Sequence, residues 1–179
     1  MLSGAAGRMS ETERLLLRPL EPADAPFILR LLNEPSFLRF IGDRGVHTLA
    51  DAERYILDLA PVGGDPDAPG LRLVALREGG APVGVCGLMR KPWLDAPDLA
   101  YALLPEAEGC GYATEAARAV LDHGRRVAGL DRIVAVVLPD NRGSIRVLEK
   151  LGLQPQGTVT DPSDGTSLRL FATDPPAEG

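Results

Sequence analysis

The chain has 179 residues, of which 45% are hydrophobic, so it can bury the core of one enzyme-sized domain but is short for two. Its net charge of −6 and its lack of any Lys or Arg run exclude the basic surface of a nucleic-acid-binding protein. No segment is long and apolar enough to cross a bilayer, and residues 1–10 lack the apolar region of a secretory signal. We therefore expect a cytoplasmic protein with no nucleic-acid and no membrane partner.

The first third of the chain carries signals for two amphipathic helices. Apolar residues recur at helical spacing between residues 27 and 32, which predicts the first helix. Thr48 and Asp51 have the spacing of a capping box, which predicts the start of the second. The stretch from residue 61 to 70 is rich in Gly, Pro and Asp and is expected to be a mobile linker.

A β-hairpin is predicted next. Two strand-like runs, 71–76 and 81–88, are joined by a turn that contains Gly79 and Gly80. Cys86 lies in the second run and is expected in the core. The other cysteine, Cys110, lies in a later glycine-rich segment. Two cysteines so placed fit neither a disulfide framework nor a zinc site, so no metal is expected.

The junction between a strand and a helix near residue 110 has the features of an anion site. The mostly apolar run 98–104 ends at Pro105, and small and apolar residues recur at helical spacing from 113 to 128. Between them, Gly109 and Gly111 allow the backbone to approach a ligand closely, while the free N–H groups of the helix start favour a phosphate. The alternative is a tight turn that binds nothing.

A second strand and helix follow in the same order. The run 132–138 is apolar after its first residue, as expected for a strand buried on both faces. Pro and Asp then break it, and a short helix is predicted over 142–151. The segments 156–160 and 167–173 predict a closing hairpin. Together with the glycine junction, this order of elements is a βαβα unit.

Four segments in this order resemble the GNAT superfamily of acyl-CoA N-acyltransferases, and within it the ribosomal-protein N-terminal acetyltransferase branch. The similarity spans residues 11 to 173. The segments are Glu13-Arg14-Leu15-Leu16-Leu17-Arg18-Pro19-Leu20, Asp98-Leu99-Ala100-Tyr101, Gly109-Cys110-Gly111-Tyr112-Ala113-Thr114-Glu115-Ala116, and Asn141-Arg142-Gly143-Ser144-Ile145-Arg146-Val147-Leu148-Glu149-Lys150-Leu151-Gly152-Leu153. The chain departs from the family where Glu108 and Cys110 replace basic or large polar residues, and we expect Glu108 to face solvent.

The resemblance implies a mixed α/β (α+β) fold: a twisted sheet of six to seven strands with about four helices, splayed between the fourth and fifth strands. It implies one domain over residues 11–173, with 1–10 as a flexible tail and 174–179 as a disordered tail. The implied activity is transfer of the acetyl group of acetyl-CoA to a primary amine, in a monomer or homodimer. A protein N-terminus, a polyamine, an amino acid and an aminoglycoside remain open as acceptors.

The resemblance also assigns a set of residues to acetyl-CoA, the co-substrate. The pantetheine arm would pair with backbone groups in the splay, and the pyrophosphate would bind at the glycine junction. The assigned residues are Leu103, Leu104, Gly109, Cys110, Gly111, Tyr112, Ala113, Thr114, Asn141 and Ser144. Core packing is the alternative role for the two leucines, and helix capping for Asn141 and Ser144.

Two catalytic groups follow from the same resemblance. Many relatives place a tyrosine at the position of Leu148 to protonate the departing thiolate, and leucine cannot do this. Ser144 is therefore the predicted proton donor, directly or through water. Asp98 is the predicted group that removes the amine proton through water, with Glu106 as the second choice. A structural salt bridge is the alternative role for either carboxylate.

The missing tyrosine and the acidic Glu108 leave a second function open, a non-catalytic module that binds or senses acyl-CoA. A third alternative, a nucleotide-binding α/β domain that uses the glycine turn, is disfavoured because the lysine and hydroxyl pattern of a P-loop is missing. Cys110 is either a passive loop residue or a thiol that reacts without acting as a nucleophile.

Overall fold

The computed structural model describes residues 10–59 and 68–174. Within these residues, one mixed sheet of eight strands is flanked by five α-helices. The strands are β1 (Ser10–Glu11), β2 (Leu15–Pro19), β3 (Leu71–Leu76), β4 (Pro82–Met89), β5 (Asp98–Leu103), β6 (Val134–Val137), β7 (Gln154–Thr160) and β8 (Ser167–Ala172). The helices are α1 (Ala25–Leu32), α2 (Pro35–Phe40), α3 (Leu49–Asp58), α4 (Tyr112–Arg126) and α5 (Arg142–Lys150). The order of strands across the sheet is β1-β2-β3-β4-β5-β6-β8-β7.

The mixed α/β fold is confirmed, and the numbers of elements are corrected. The described residues contain eight strands and five helices, where six to seven strands and about four helices were expected. The additional strand is β1, in which Ser10 lies opposite Leu17, so Ser10 is not part of a flexible tail. The additional helix is α2. An element of two residues, or of six, is too short to show a hydrophobic period.

The sheet opens between β5 and β6. From β1 to β5 each strand is antiparallel to the next, whereas β5 and β6 run parallel. Among the described residues their ladder consists of the single pair Asp98 and Val134. We call the gap beyond this pair the opening. It is the expected splay, and it lies between the fifth and sixth strands because β1 adds one to the count.

Helices cover both faces of the sheet. Side chains of a strand point alternately to its two faces, and along β5 Leu99, Tyr101 and Leu103 pack in the cluster with α4 and α5. Ala102 and Leu104 pack instead in the cluster with α1 to α3. The opening therefore lies between two layers of helix.

Local signals in the sequence are confirmed where the structure describes them. β3 and β4 form the expected antiparallel hairpin, with φ of 82° at Gly79 and 72° at Gly80. Thr48 begins α3: its hydroxyl accepts from the Asp51 amide at 3.1 Å, and the Asp51 carboxylate accepts from the Thr48 amide at 3.0 Å. Cys86 is fully buried, and burial raises the pKa of its thiol to about 12.

The end of the domain extends one residue beyond the expected boundary. Arg132 donates to the Asp174 carboxylate at 2.5 Å, and the Gln156 amide donates to the Asp174 carbonyl at 2.8 Å. Most of the expected linker and the rest of both tails lie outside the described residues. No helix in the described ranges is both long and apolar enough to span a bilayer.

Candidate functional site

The glycine loop, residues 108–114, connects β5 to α4 after a short 3-10 turn at Pro105–Ala107. Its backbone enters the left-handed region at Gly109, with φ of 74°, and at Gly111, with φ of 82°. Glycine adopts this conformation without the strain that a Cβ would bring. Glu108 is exposed, as expected for an acid beside a site for phosphate.

The start of α4 presents a run of unpaired donors. The first backbone bond of the helix runs from the Glu115 amide to the Gly111 carbonyl, at 3.1 Å. Among the described residues, the amides from Gly109 to Thr114 donate no backbone hydrogen bond. Free N–H groups and the positive end of the helix dipole both favour an anion at this position.

The backbone at the end of β5 differs from the expectation at one of two residues. The Leu104 amide donates to the Val83 carbonyl at 2.8 Å, and the Leu104 carbonyl accepts from the Ala107 amide at 2.9 Å. Leu104 therefore has no free backbone group, because β4 accepts from its amide and the 3-10 turn donates to its carbonyl. Residues of an antiparallel strand bond alternately to either side, so the amide and carbonyl of Leu103 face the opening.

The start of α5 lies against β5 through a pair of hydroxyls. The Asn141 side chain accepts from the Ser144 amide at 3.2 Å, so the helix-capping role of Asn141 is present. The Ser144 hydroxyl lies 2.6 Å from the Tyr101 hydroxyl, which also donates to the Ser144 carbonyl at 3.1 Å. Leu148 is 1% exposed in the core.

The contact between Tyr101 and Ser144 is the feature of this site that the sequence did not reveal. Burial raises the pKa of the Tyr101 hydroxyl, with the hydrogen bond to Ser144 opposing the shift, so Tyr101 stays protonated and can orient the Ser144 hydroxyl. In the sequence, Tyr101 stands out only as the last residue of the segment Asp98-Leu99-Ala100-Tyr101. That signal does not identify a partner 43 residues away.

Asp98 lies at the closed end of the opening. Its side chain is 3% exposed and accepts from Lys91 Nζ at 2.8 Å and from the Val136 amide at 3.3 Å. Burial raises the pKa of the Asp98 carboxyl, and the charge of Lys91 opposes this. The salt bridge that was the alternative role for this residue is therefore present.

Two exposed ion pairs connect the residues that follow β5 and β6, on either side of the opening, to helices α1 and α2. Glu106, just after β5, accepts from Arg30 of α1 at 2.5 Å, and Asp140, after β6, from Arg39 of α2 at 3.2 Å. A hydrogen bond from its own backbone and another from Arg30 lower the pKa of Glu106. A lower pKa makes a carboxylate a weaker base.

The structure thus groups the predicted residues at two places. The glycine loop, Leu103, Asn141 and Ser144 surround the open end. Asp98 lies five positions before Leu103 in β5, or about 16 Å at the usual rise of a strand, and is not brought together with the loop. Its role as base stays a prediction.

The comparison with family models decides the identity of this fold. A model described as an acetyltransferase (GNAT) domain matches residues 14–154. The chain belongs to the GNAT family. It is accordingly an acyl-CoA-dependent N-acyltransferase, as its relatives are.

Three similar proteins illustrate the range of this GNAT enzyme's relatives. The uncharacterized N-acetyltransferase YoaA of Bacillus subtilis is 29% identical over 153 residues, which cover 83% of this chain and 84% of that one. The structure of an acetyltransferase from Agrobacterium tumefaciens has a TM-score of 0.76 at 30% identity, over 94% of this chain and 95% of that one. A ribosomal L7/L12 α-N-protein acetyltransferase in complex with coenzyme A has a TM-score of 0.77 at 17% identity, over 93% and 100%. This last likeness is one of fold.

Among the residues that the structure describes, no group of three His, Cys, Asp or Glu side chains is placed to hold a metal ion. The neighbours with this fold include a complex with coenzyme A. The glycine loop of the GNAT enzyme has the features that suit a pyrophosphate, because it combines free amides with left-handed glycines.

Proposed function

We propose that this GNAT enzyme transfers the acetyl group of acetyl-CoA directly to the primary amine of a protein N-terminus or a small molecule. The observation that carries the proposal is the run of unpaired amides from Gly109 to Thr114, next to the opening in the sheet. Amide formation from a thioester needs positioning and proton transfer but no covalent enzyme intermediate.

The coenzyme would be held mainly by the main chain. The amides from Gly109 to Thr114, including those of Cys110, Tyr112 and Ala113, would donate to the pyrophosphate. The amide and carbonyl of Leu103 would pair with the pantetheine arm in the opening. Leu104 would contribute packing alone, because its backbone groups are occupied. Asn141 would position the start of α5 at the other side of the arm.

Ser144 would donate a proton to the departing sulfur. Its hydroxyl lies between β5 and α5, where the thioester would end if the arm pairs with Leu103. Tyr101, 2.6 Å away, would orient the hydroxyl and share its proton. Over the whole reaction one proton leaves the amine nitrogen and one reaches the coenzyme sulfur.

Asp98 would accept the amine proton through water. Burial raises the pKa of its carboxyl, which strengthens it as a base. Each oxygen already accepts one hydrogen bond, and a carboxylate oxygen has a second lone pair that would accept from the water. The Lys91 side chain is 31% exposed, so solvent reaches this ion pair.

A pair of glycine variants tests the coenzyme site. Gly111→Asp would put a Cβ on a backbone with φ of 82° and only 3.3 Å from Arg14 Nη2, so the loop and its amides would have to shift, and the added charge would repel a pyrophosphate. We expect affinity for acetyl-CoA to fall by about 100-fold or more in calorimetry. Gly79→Asp is the matched control, because Gly79 has the same φ of 82° in a hairpin turn and should keep wild-type affinity. Unchanged affinity in Gly111→Asp would remove the loop from the site.

The non-catalytic alternative rests on Leu148 in the core and Glu108 on the loop, and the acetyltransferase family of this chain counts against it. It predicts the same coenzyme binding but no turnover. Continuous release of coenzyme A from acetyl-CoA in the presence of one member of an amine library supports the enzyme. Binding without release from every amine class supports the sensor.

A further inference from the structure

We infer that Arg14 is a positioning residue that aims the Gly111 amide into the coenzyme site. The inference rests on the proposed function, since it concerns the same loop. Arg14 precedes β2 and lies 96 residues away from Cys110 in the chain, yet its Nη1 donates to the Cys110 carbonyl at 2.8 Å.

Two further contacts fix the Arg14 side chain. Its Nε donates to the Glu115 carboxylate at 2.7 Å, and its guanidinium lies 4.7 Å from the centre of the Tyr112 ring. An added Cβ at Gly111 would lie 3.3 Å from Nη2. The guanidinium therefore contacts the loop on both sides of the Cys110–Gly111 peptide. Its planar fork gives these bonds a defined direction.

The main chain of Arg14 is also anchored. Its amide donates to the Glu115 carboxylate at 2.8 Å, and its carbonyl accepts from the Arg77 amide at 2.9 Å. The next residue, Leu15, is fully buried. The backbone from which the Arg14 side chain extends is therefore held in place.

Peptide geometry converts these contacts into an effect on the ligand. The C=O and N–H of a trans peptide point in opposite directions. A Cys110 carbonyl held by Arg14 thus directs the Gly111 amide away from Arg14, toward the side where the other amides are free. Glycine tolerates both signs of φ, so this peptide can rotate at low cost when nothing holds it.

The experiment measures the dissociation constant of coenzyme A by calorimetry for wild type, Arg14→Ala and Arg14→Lys. Lysine keeps the positive charge but cannot bond Glu115 and Cys110 through a planar fork. We expect both variants to bind about tenfold more weakly. Wild-type affinity in Arg14→Lys would show that charge alone matters and would overturn the inference, as would wild-type affinity in Arg14→Ala.

Arg77→Ala is the matched control. Arg77 donates to the Thr12 carbonyl at 2.9 Å and stabilises the same N-terminal segment without a contact to the glycine loop. We expect it to keep wild-type affinity, and an equal loss would assign the effect to the segment as a whole. A direct readout is the NMR resonance of the Gly111 amide, which we expect to shift when coenzyme A is added to wild type. In Arg14→Ala, the same shift should require about tenfold more coenzyme A. If wild type binds no coenzyme A, the proposed function fails. If wild type binds coenzyme A and the Arg14 variants bind it equally well, the inference alone fails.

Discussion

The two ends of the opening between β5 and β6 present different chemical groups, side chains at the closed end and backbone at the open end. At the closed end, the Asp98 carboxylate bonds the Val136 amide in place of a carbonyl of β5, and Lys91 balances its charge. At the open end, the exposed groups are the backbone of Leu103 and the amides of the glycine loop. Side chains thus hold β5 and β6 together at the closed end of the opening, while backbone groups are left free for binding at the open end.

The largest expected effect is at the open end, through Cys110. Cys110 is exposed and Cys86 is buried, so N-ethylmaleimide should modify Cys110 alone. The added group would stand between two glycines and block the amides, and we expect acetyl-CoA binding to be lost in calorimetry. Acetyl-CoA added first should protect the protein.

Cys110→Ala separates obstruction from chemistry. It should keep full acetyl-CoA binding and turnover and become resistant to the reagent, because the proposed contacts come from the backbone. Loss of turnover in a folded Cys110→Ala protein would instead indicate a direct chemical role and contradict direct transfer.

The next effect is on stability, at the closed end. Lys91→Met leaves the buried Asp98 carboxylate without its cation, and we expect a loss of about 2 kcal/mol in urea unfolding at pH 8. The value is below that for a fully buried pair, because Lys91 is partly exposed. Lys150→Met, at the exposed end of α5, is the control and should lose far less.

This loss should depend on pH with a defined sign. Burial already raises the pKa of Asp98 and Lys91 opposes it, so the variant should raise this pKa further. A raised pKa in the folded state favours folding at low pH and is unfavourable once pH exceeds it. The difference between wild type and Lys91→Met should therefore shrink from pH 8 to pH 5. An equal difference at both values would contradict a buried, unpaired carboxylate.

The smallest effect concerns the hydroxyl pair between the two ends. Tyr101→Phe removes the partner of Ser144, and we expect turnover with the amine found in the library screen to fall about fivefold at unchanged affinity for acetyl-CoA. Adding Ser144→Ala should lower turnover little further, because the two hydroxyls act together. Tyr55→Phe, on α3, is the control. Additive losses would mean that the hydroxyls act independently.

The parts predicted from sequence are those that depend on neighbours in the chain. Glycines at alternate positions, a proline at the end of a strand and a capping box all act within a few residues, so the hairpin, the α3 cap and the glycine loop were predicted at the right places. β1 and α2 were missed because they are too short for a period. The occupied carbonyl of Leu104 follows from a 3-10 turn that the sequence does not specify.

The contacts across the chain were not accessible in this way. Arg14 reaches the glycine loop from 96 residues away, and Tyr101 meets Ser144 across 43. Asp98 carries no mark in the sequence that separates a base from a buried partner of Lys91. These roles depend on which strands become neighbours, and a local pattern does not contain that information.

The left-handed backbone at Gly109 and Gly111 divides the loop into two kinds of position. At these two, φ values of 74° and 82° restrict the choice to glycine. The exposed Glu108 and Cys110 contribute no side chain to the proposed binding, so other residues should be tolerated at these two positions. The proposed coenzyme site therefore tolerates an acid at residue 108 and a small thiol at residue 110, because its binding groups belong to the backbone.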